Sequence, residues 1–532
     1  MSRISKLARQ YRIKNLENWT IRAILAEAFF LAIFPALAEV AVVVGLGAWF
    51  LRSHVDKNFK MRSLSFDLPI AIFVMLGAVS VFMSPASNSD LIYNYCWLIG
   101  IFGLTYLLVG QNIRTPDQVQ LLIRTFSAAS LIVVLVGFFQ YVFGIDIAEM
   151  TWVDGEKFPE FRRHVFSTLG SPNVLAGYLN VMICLALGIL SKTDDLKQKP
   201  LIITAICVMA ACLAMTYSQG AFLAIAVVFL VYGIFQDWRA LILFAAVTGL
   251  VIYKDPTFLD RILALFTITT DSAEVLRVGV WVSTIAMIAD HPFIGIGYGA
   301  YQFIYPQYNY YLEDPSTIIR HAHNLYLNVA AEVGIAGALA YFWYFFGTMF
   351  TSLSLNSNER YNKIKNIAAK SKFTEEVSKL FMESKFLQEL TKTKTAWTAR
   401  MADLSEKIVD WFSAKSKDDT ADKPKKKSEP ELVHHEEMKW SKKSGAKSDK
   451  KSDDDKMDIQ KFAAGDELMF DAREVKKYND RQFISGVKFG IGLAFLSMAV
   501  NGISDNLLFN VPLSILMWQL GALSAAISLM EN

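Results

Sequence analysis

Charge is scarce in this chain. Only 19% of its 532 residues are Asp, Glu, Lys or Arg, against 53% hydrophobic residues, and a soluble globule could not cover that much apolar side chain. The scarcity is uneven. Roughly half of the charged residues lie within 356–482, so the remainder is more apolar still, and the net charge of +3 excludes nothing. Cysteine is rare too: Cys96, Cys184, Cys207 and Cys212 all fall inside apolar runs. No extracytoplasmic disulfide pair and no Cys/His zinc spacing is expected from them. The first apolar run lacks a small-residue cleavage pattern, so no cleavable signal peptide is expected. Ionisable residues within the apolar runs are few, mainly Glu27, Glu39 and Lys488. That weighs against a transporter, which needs such groups near the membrane midplane.

Long apolar runs are what the chain has in abundance. They cover 24–51, 68–83, 91–109, 121–143, 174–190, 201–217, 221–235, 240–253, 335–353, 483–503 and 507–529, most of them near the ~20 residues that cross a bilayer. The first is long for one helix and is interrupted by Pro35. Arg3, Lys6, Arg9, Arg12 and Lys14 precede it, and Arg52, Lys57, Lys60 and Arg62 follow it. Both flanks belong on the cytoplasmic side, which predicts two helices turning near Pro35. The expectation is an all-α polytopic membrane protein with about 12 transmembrane helices and both termini inside. Arg114, Arg124, Lys192, Lys197, Lys199 and Arg239 then fall on cytoplasmic turns. The outer face receives 84–90, 145–173, 218–220, 254–323 and 502–506.

Three regions follow: a membrane domain over 1–355 with a large extracytoplasmic loop at 254–323, a charged cytoplasmic insertion over 356–482, and a C-terminal pair of transmembrane helices over 483–532. Within the insertion, spaced apolar residues over 373–412 predict an amphipathic helix suited to a membrane surface. The Lys/Asp/Ser-rich tract at 415–458 predicts disorder, with His434 and His435 as solvated residues of it. No catalysis is assigned to this insertion.

The outward-facing loops collect the polar groups that a scaffold does not need. Where the loop at 254–323 meets the next span, the sequence reads Arg320-His321-Ala322-His323-Asn324. The same loop carries Arg261, Arg277, the Gly295–Gly299 turn and tyrosines at 298, 301, 305, 308, 310 and 311. Those rings could stack on sugars or form an interfacial belt. The glycine turn follows no parallel strand and is not read as a nucleotide site. The loop at 145–173 adds Arg162, Arg163 and His164, and two external arginines run against the usual charge bias. Pro172 and Asn173 suit the opening of the next helix.

These pieces together resemble the O-antigen ligase and polymerase membrane family. His323-Asn324 followed by Gly334 and Gly337 resembles its signature. Gly170-Ser171-Pro172-Asn173, Ser218-x-Gly220, Arg277 with Trp281, and Asp290-x-Pro292 with Gly295 and Gly297 resemble its other motifs, in the same order. Asn501-Gly502-x-x-Asp505, Pro512 and Trp518 resemble its C-terminal pair of spans. The resemblance implies a bacterial inner-membrane glycosyltransferase of the GT-C kind, inverting and independent of metal or other cofactors, with its site on the extracytoplasmic face. Its implied donor is a glycan on undecaprenyl diphosphate, and its implied acceptor is a lipid A-core sugar or a similar glycan; no nucleic acid is involved. It places the functional histidine at His323 and the large-loop arginine at Arg277. One departure stands out: Gln219 occupies the position where the family usually has arginine.

The chemistry fits those residue types. Transfer from a lipid diphosphate needs a positioned acceptor hydroxyl that loses its proton, in-line attack at the anomeric carbon, and neutralisation of the leaving diphosphate. Histidine exchanges a proton near neutral pH, so His323 is expected as base or acceptor-orienting group, with Asn324 fixing the site and His321 as a stand-in. Arginine is a permanent cation matched to phosphate geometry, so Arg277 and Arg320 with Arg162 or Arg163 are expected to hold the diphosphate, and Arg261 could compensate for Gln219. Glu332 falls about half a helical turn out of phase with His323 on a continuous helix and reads as a packing partner. A zinc ion on His321 and His323 is the rival reading, with no third ligand evident. Ligase, polymerase, protein-directed oligosaccharide ligase and transporter all remain as functions at this stage, the first two sharing one donor chemistry.

Overall fold

A computed structural model of the chain describes residues 3–86, 89–144, 164–193, 196–254, 272–309, 319–353 and 455–531. They are helical throughout, with no strand among the described residues. The chain divides into two units, one formed by Met1–Ser354 with Asp471–Asn532 and the other by Leu355–Phe470. In the second unit the described residues, 455–470, are helical. The amphipathic helix expected over 373–412 lies outside the described residues.

In the first unit the helices are α1 (Arg3–Phe30), α2 (Pro35–Val55), α3 (Asp67–Phe82), α4 (Ser89–Asn112), α5 (Pro116–Phe143), α6 (Pro172–Lys192), α7 (Gln198–Ala214), α8 (Gln219–Phe235), α9 (Arg239–Lys254), α10 (Ser272–Asp290), α11 (Leu325–Leu353), α12 (Asp455–Ser504, which begins in the second unit) and α13 (Val511–Glu531). Every apolar run read in the sequence lies on one or two of them. Among the described residues, seven helices are long and apolar enough to cross a membrane, and four more are apolar but shorter. The turn near Pro35 is present: α1 stops at Phe30 and α2 restarts with Pro35 in its first turn, where proline's missing N–H has no partner to lose. The sequence places the start of the penultimate span at 483, whereas α12 begins at Asp455. The last residues of the polar tract at 415–458 are therefore helical.

Local chemistry sets the helix ends. Thr115 caps α5 in a reciprocal box with Gln118, Pro116 follows it, and Gly144 ends the helix in the left-handed region; each device satisfies end groups that the helix itself leaves open. Two of the ionisable groups inside the apolar runs have partners. Thr105 Oγ1 donates to the buried Glu27 carboxyl at 2.9 Å, and Lys488 pairs with Glu531 at 2.5 Å.

Two features of the packing position the site. The first is a glycine contact between α6 and α12: a Cβ on Gly188 would strike the backbone of Gly486 and Gly490, and one on Gly490 would strike that of Leu185. Small residues let two membrane helices approach to backbone contact, which brings the N-terminal end of α6 and the C-terminal end of α12 together. The second is a break in α11 at Gly334, where φ is 72° and ψ is 174°. Ile296 and Gly297 donate their N–H groups to the carbonyls of Ala331 and Glu332 at 2.8 and 3.0 Å, and Ile335 N–H donates to Pro292 O at 2.8 Å. The Gly295–Gly299 turn is thus a clasp that closes on the broken helix. Gly295 also has positive φ, and a Cβ on it would meet the backbone of Glu332 and Gly334, so only glycine fits.

Candidate active site

His323 precedes α11 with a positive φ of 48°, a conformation that histidine adopts more readily than most residues. Asn324 follows it and fixes the helix start in two directions. Its Oδ1 accepts the N–H of Leu327 at 3.0 Å, as an N-cap should, and its Nδ2 donates to Ile503 O near the end of α12 at 2.9 Å. That second bond ties the start of α11 to the end of α12. Ala322 N–H donates to Asn328 Oδ1 at 2.9 Å, which fixes the turn from inside.

Asp505 faces His323 from the loop after α12. His323 Nδ1 lies 3.3 Å from Asp505 Oδ1. Asp505 Oδ1 also accepts the N–H of Asn506 at 2.8 Å, and its Oδ2 accepts Asn173 Nδ2 at 3.0 Å from the first turn of α6. Burial pushes the Asp505 carboxyl up, but the hydrogen bond from His323 and the charges of His323, His321 and Arg277 outweigh it, so it lies below the usual carboxylate range. An ionised carboxylate only accepts. The proton between the two is therefore on Nδ1 of His323, and in the neutral ring the lone pair is on Nε2. The His323 side chain is 38% exposed and the Asp505 side chain 14%, so the imidazole is reachable while its partner is largely enclosed.

His321 stands beside this pair. Its Nδ1 accepts the N–H of His323 at 3.2 Å, its ring lies 4.2 Å from that of His323, and its other neighbour is Phe509 at 4.8 Å. Burial, with the like charges of His323 and Arg320, pushes it down to about 4 against the pull of Asp505. His321 is neutral at pH 7.

The structure brings some of the predicted residues together and separates others. His321, His323, Asn324 and Arg320 share one turn, and Arg277, half-buried on α10, is close enough for its charge to act on Asp505. Gln219 opens α8. A Cβ on the adjacent Gly220 would meet Ser504 and Asn501, so the Ser218–Gly220 turn lies against the same end of α12. Arg162, Arg163 and Arg261 lie outside the described residues. Glu332 faces elsewhere: it is buried, and the backbone of Gly299 and Tyr301 and the side chain of Asn328 lie beside its carboxyl. The helix breaks at Gly334, beyond Glu332, so its carboxyl sits at the glycine clasp rather than reaching His323.

The tyrosines differ from both expectations. Tyr301 and Tyr305 are buried in an apolar cluster with Val280, Met287, Ile296 and Ala322, and Tyr298 packs against it. Tyr301 hydroxyl shares a hydrogen bond with Thr284 Oγ1 at 2.6 Å. Tyr301 and Tyr305 thus pack in a core with Ala322, neither as a sugar platform nor as an interfacial belt; Tyr308 is half-buried and its hydroxyl donates to Asp290 at 2.8 Å, and Tyr310 and Tyr311 lie outside the described residues. Sequence reasoning gave no role to Asp505 or Asn173. Both stood in motifs quoted for the family resemblance, Asn173 also as a residue that suits a helix opening, and neither announces a partner so far away in the chain.

Residues 204–342 match the family model described as O-antigen ligase. The matched segment holds the Ser218–Gly220 turn, Arg277, the glycine clasp and the His323 turn, and it ends before Asp505. No curated protein matches the chain. The match supports membership of the O-antigen ligase family, and with helices suited to crossing a bilayer it identifies a membrane protein.

Proposed function

From the match of residues 204–342 to the O-antigen ligase family, we propose that this chain is an inner-membrane glycosyltransferase that moves a glycan from undecaprenyl diphosphate to a hydroxyl of a lipid A-core or similar sugar. The helices form about 12 spans, and the His323 turn faces the extracytoplasmic side, opposite the Lys/Arg-rich turns. The observation that carries the proposal is the His323–Asp505 pair at 3.3 Å, held by Asn173 and Asn324 at the meeting point of α6, α11 and α12.

In this mechanism Asp505 holds Nδ1–H of His323, and Nε2 takes the proton of the acceptor hydroxyl. The acceptor oxygen forms a bond to the anomeric carbon from the face opposite the diphosphate. The carbon–oxygen bond to the diphosphate breaks, and the electron pair leaves with the phosphate. Arg277 and Arg320, with Arg162, Arg163 or Arg261 as further cations, neutralise that leaving group. One displacement inverts the anomeric centre, and no covalent enzyme intermediate is needed. Polymerisation, in which the acceptor is the next lipid-linked repeat unit, uses the same donor chemistry and is the second reading.

Glycan analysis of a strain lacking the protein tests the proposal. Free lipid-linked polymer with bare core supports a ligase. Single-repeat glycan on the core instead supports the polymerase, and unchanged glycans would reject both.

A further inference from the structure

We propose that His321, His323 and Asp505 form a binding site for one divalent cation of the zinc class, which blocks the site when it binds. The sequence offers His-x-His without a third ligand; the fold supplies it from the other end of the chain. A ligand atom from each of the three residues lies within 4.8 Å of the others.

The ligand set is arranged by the backbone. Ala322, between the two histidines, is buried in the apolar cluster, and its N–H is held by Asn328. With His323 at positive φ, both rings turn to the same side, 4.2 Å apart. The 3.3 Å between His323 Nδ1 and Asp505 Oδ1 equals the ligand-to-ligand edge of about 3.3 Å in a tetrahedron with ~2.0 Å zinc bonds. For His321 to join the same ion, its ring nitrogen, within 4.8 Å of the other two ligand atoms, has to draw closer to them. Asn173 and Asn506 hold the carboxylate in place, as the outer partners of metal-binding carboxylates do. Two imidazoles and one carboxylate suit zinc and similar transition ions, and they do not suit magnesium or calcium, which take oxygen ligands.

The block follows from tautomer chemistry. A cation bound at Nδ1 displaces the ring proton to Nε2, so the lone pair that receives the acceptor proton is gone. That consequence rests on the proposed glycosyl transfer; the binding site does not.

The test uses the full-length protein in detergent, stripped with a chelator and carrying His434→Gln and His435→Gln to remove the other histidine pair. Co2+ is titrated in, with no glycan substrate present, and then displaced by Zn2+. The expected result is one equivalent of Co2+ with tetrahedral visible absorption, weakened at least about tenfold by His321→Gln or Asp505→Asn. Absent absorption, or equal binding in the variants, overturns the proposal. A measurement without ligand variants accompanies it: Zn2+ should protect His321 and His323 from diethylpyrocarbonate, read by peptide mass spectrometry. Equal modification of both with and without Zn2+ also overturns it.

Discussion

Asn173 Nδ2 donates to Asp505 Oδ2 at 3.0 Å, which leaves Oδ1 for His323. One residue opens α6 and the other follows α12, and the glycine contact between those helices makes the meeting possible. Asp505→Asn removes the carboxylate charge and replaces one of its two acceptor oxygens by an N–H donor, so the His323 tautomer is no longer fixed, and it should lower kcat by about 10²- to 10³-fold, within the range of a lost general base. Asn173→Ala removes one bond to the carboxylate and should cost about tenfold. Both are measured with purified protein and a lipid-linked donor. Equal, small losses for the two would show that Asp505 only packs.

Arg277 and Arg320 are expected to act through the donor diphosphate. Arg277→Lys keeps the charge but loses the planar fork, so it should retain more activity than Arg277→Ala, which should fall by about 10²- to 10³-fold. Kinetics at varied donor concentration check the order. Indistinguishable lysine and alanine variants would remove the phosphate role.

Gln219 sits at the start of α8, beside the Asn501–Ser504 end of α12, where its family resemblance expects a cation. Gln219→Arg should lower the KM for donor, because a guanidinium at that turn adds a phosphate partner. An unchanged or higher KM would mean that the donor is held from another loop.

Gly334→Ala should destabilise the membrane domain. The residue has φ of 72°, and the new Cβ would strike the Phe293 carbonyl. Strain of this kind costs about 1–3 kcal/mol before the clash is counted. Thermal unfolding in detergent should show a lowered midpoint, and a midpoint equal to that of the wild type would contradict the clasp.

The helices were legible in the sequence because apolar run length reports directly on helix position, as the turn at Pro35 illustrates. The His323 turn was legible because two histidines and an arginine beside a span have no packing use. Asp505 entered only as part of a resembling motif, and its pairing with His323 was not legible, since a pairing across the whole fold leaves no local periodicity. The tyrosines misled for a related reason: an aromatic's composition is the same whether it faces solvent or, like Tyr301 and Tyr305, fills a core. Glu332 was read off the histidine face by helical phase, and its position beside the Gly299 and Tyr301 backbone depends on a loop fold that no pattern announced.

The most direct test of the account is glycan transfer by the His323→Ala protein, with membrane insertion and thermal unfolding matched to the wild type. The account predicts a loss of at least about 10²-fold in kcat, with donor binding retained. Transfer near the wild-type rate would contradict it, and His323 would then be an ordinary helix-entry residue.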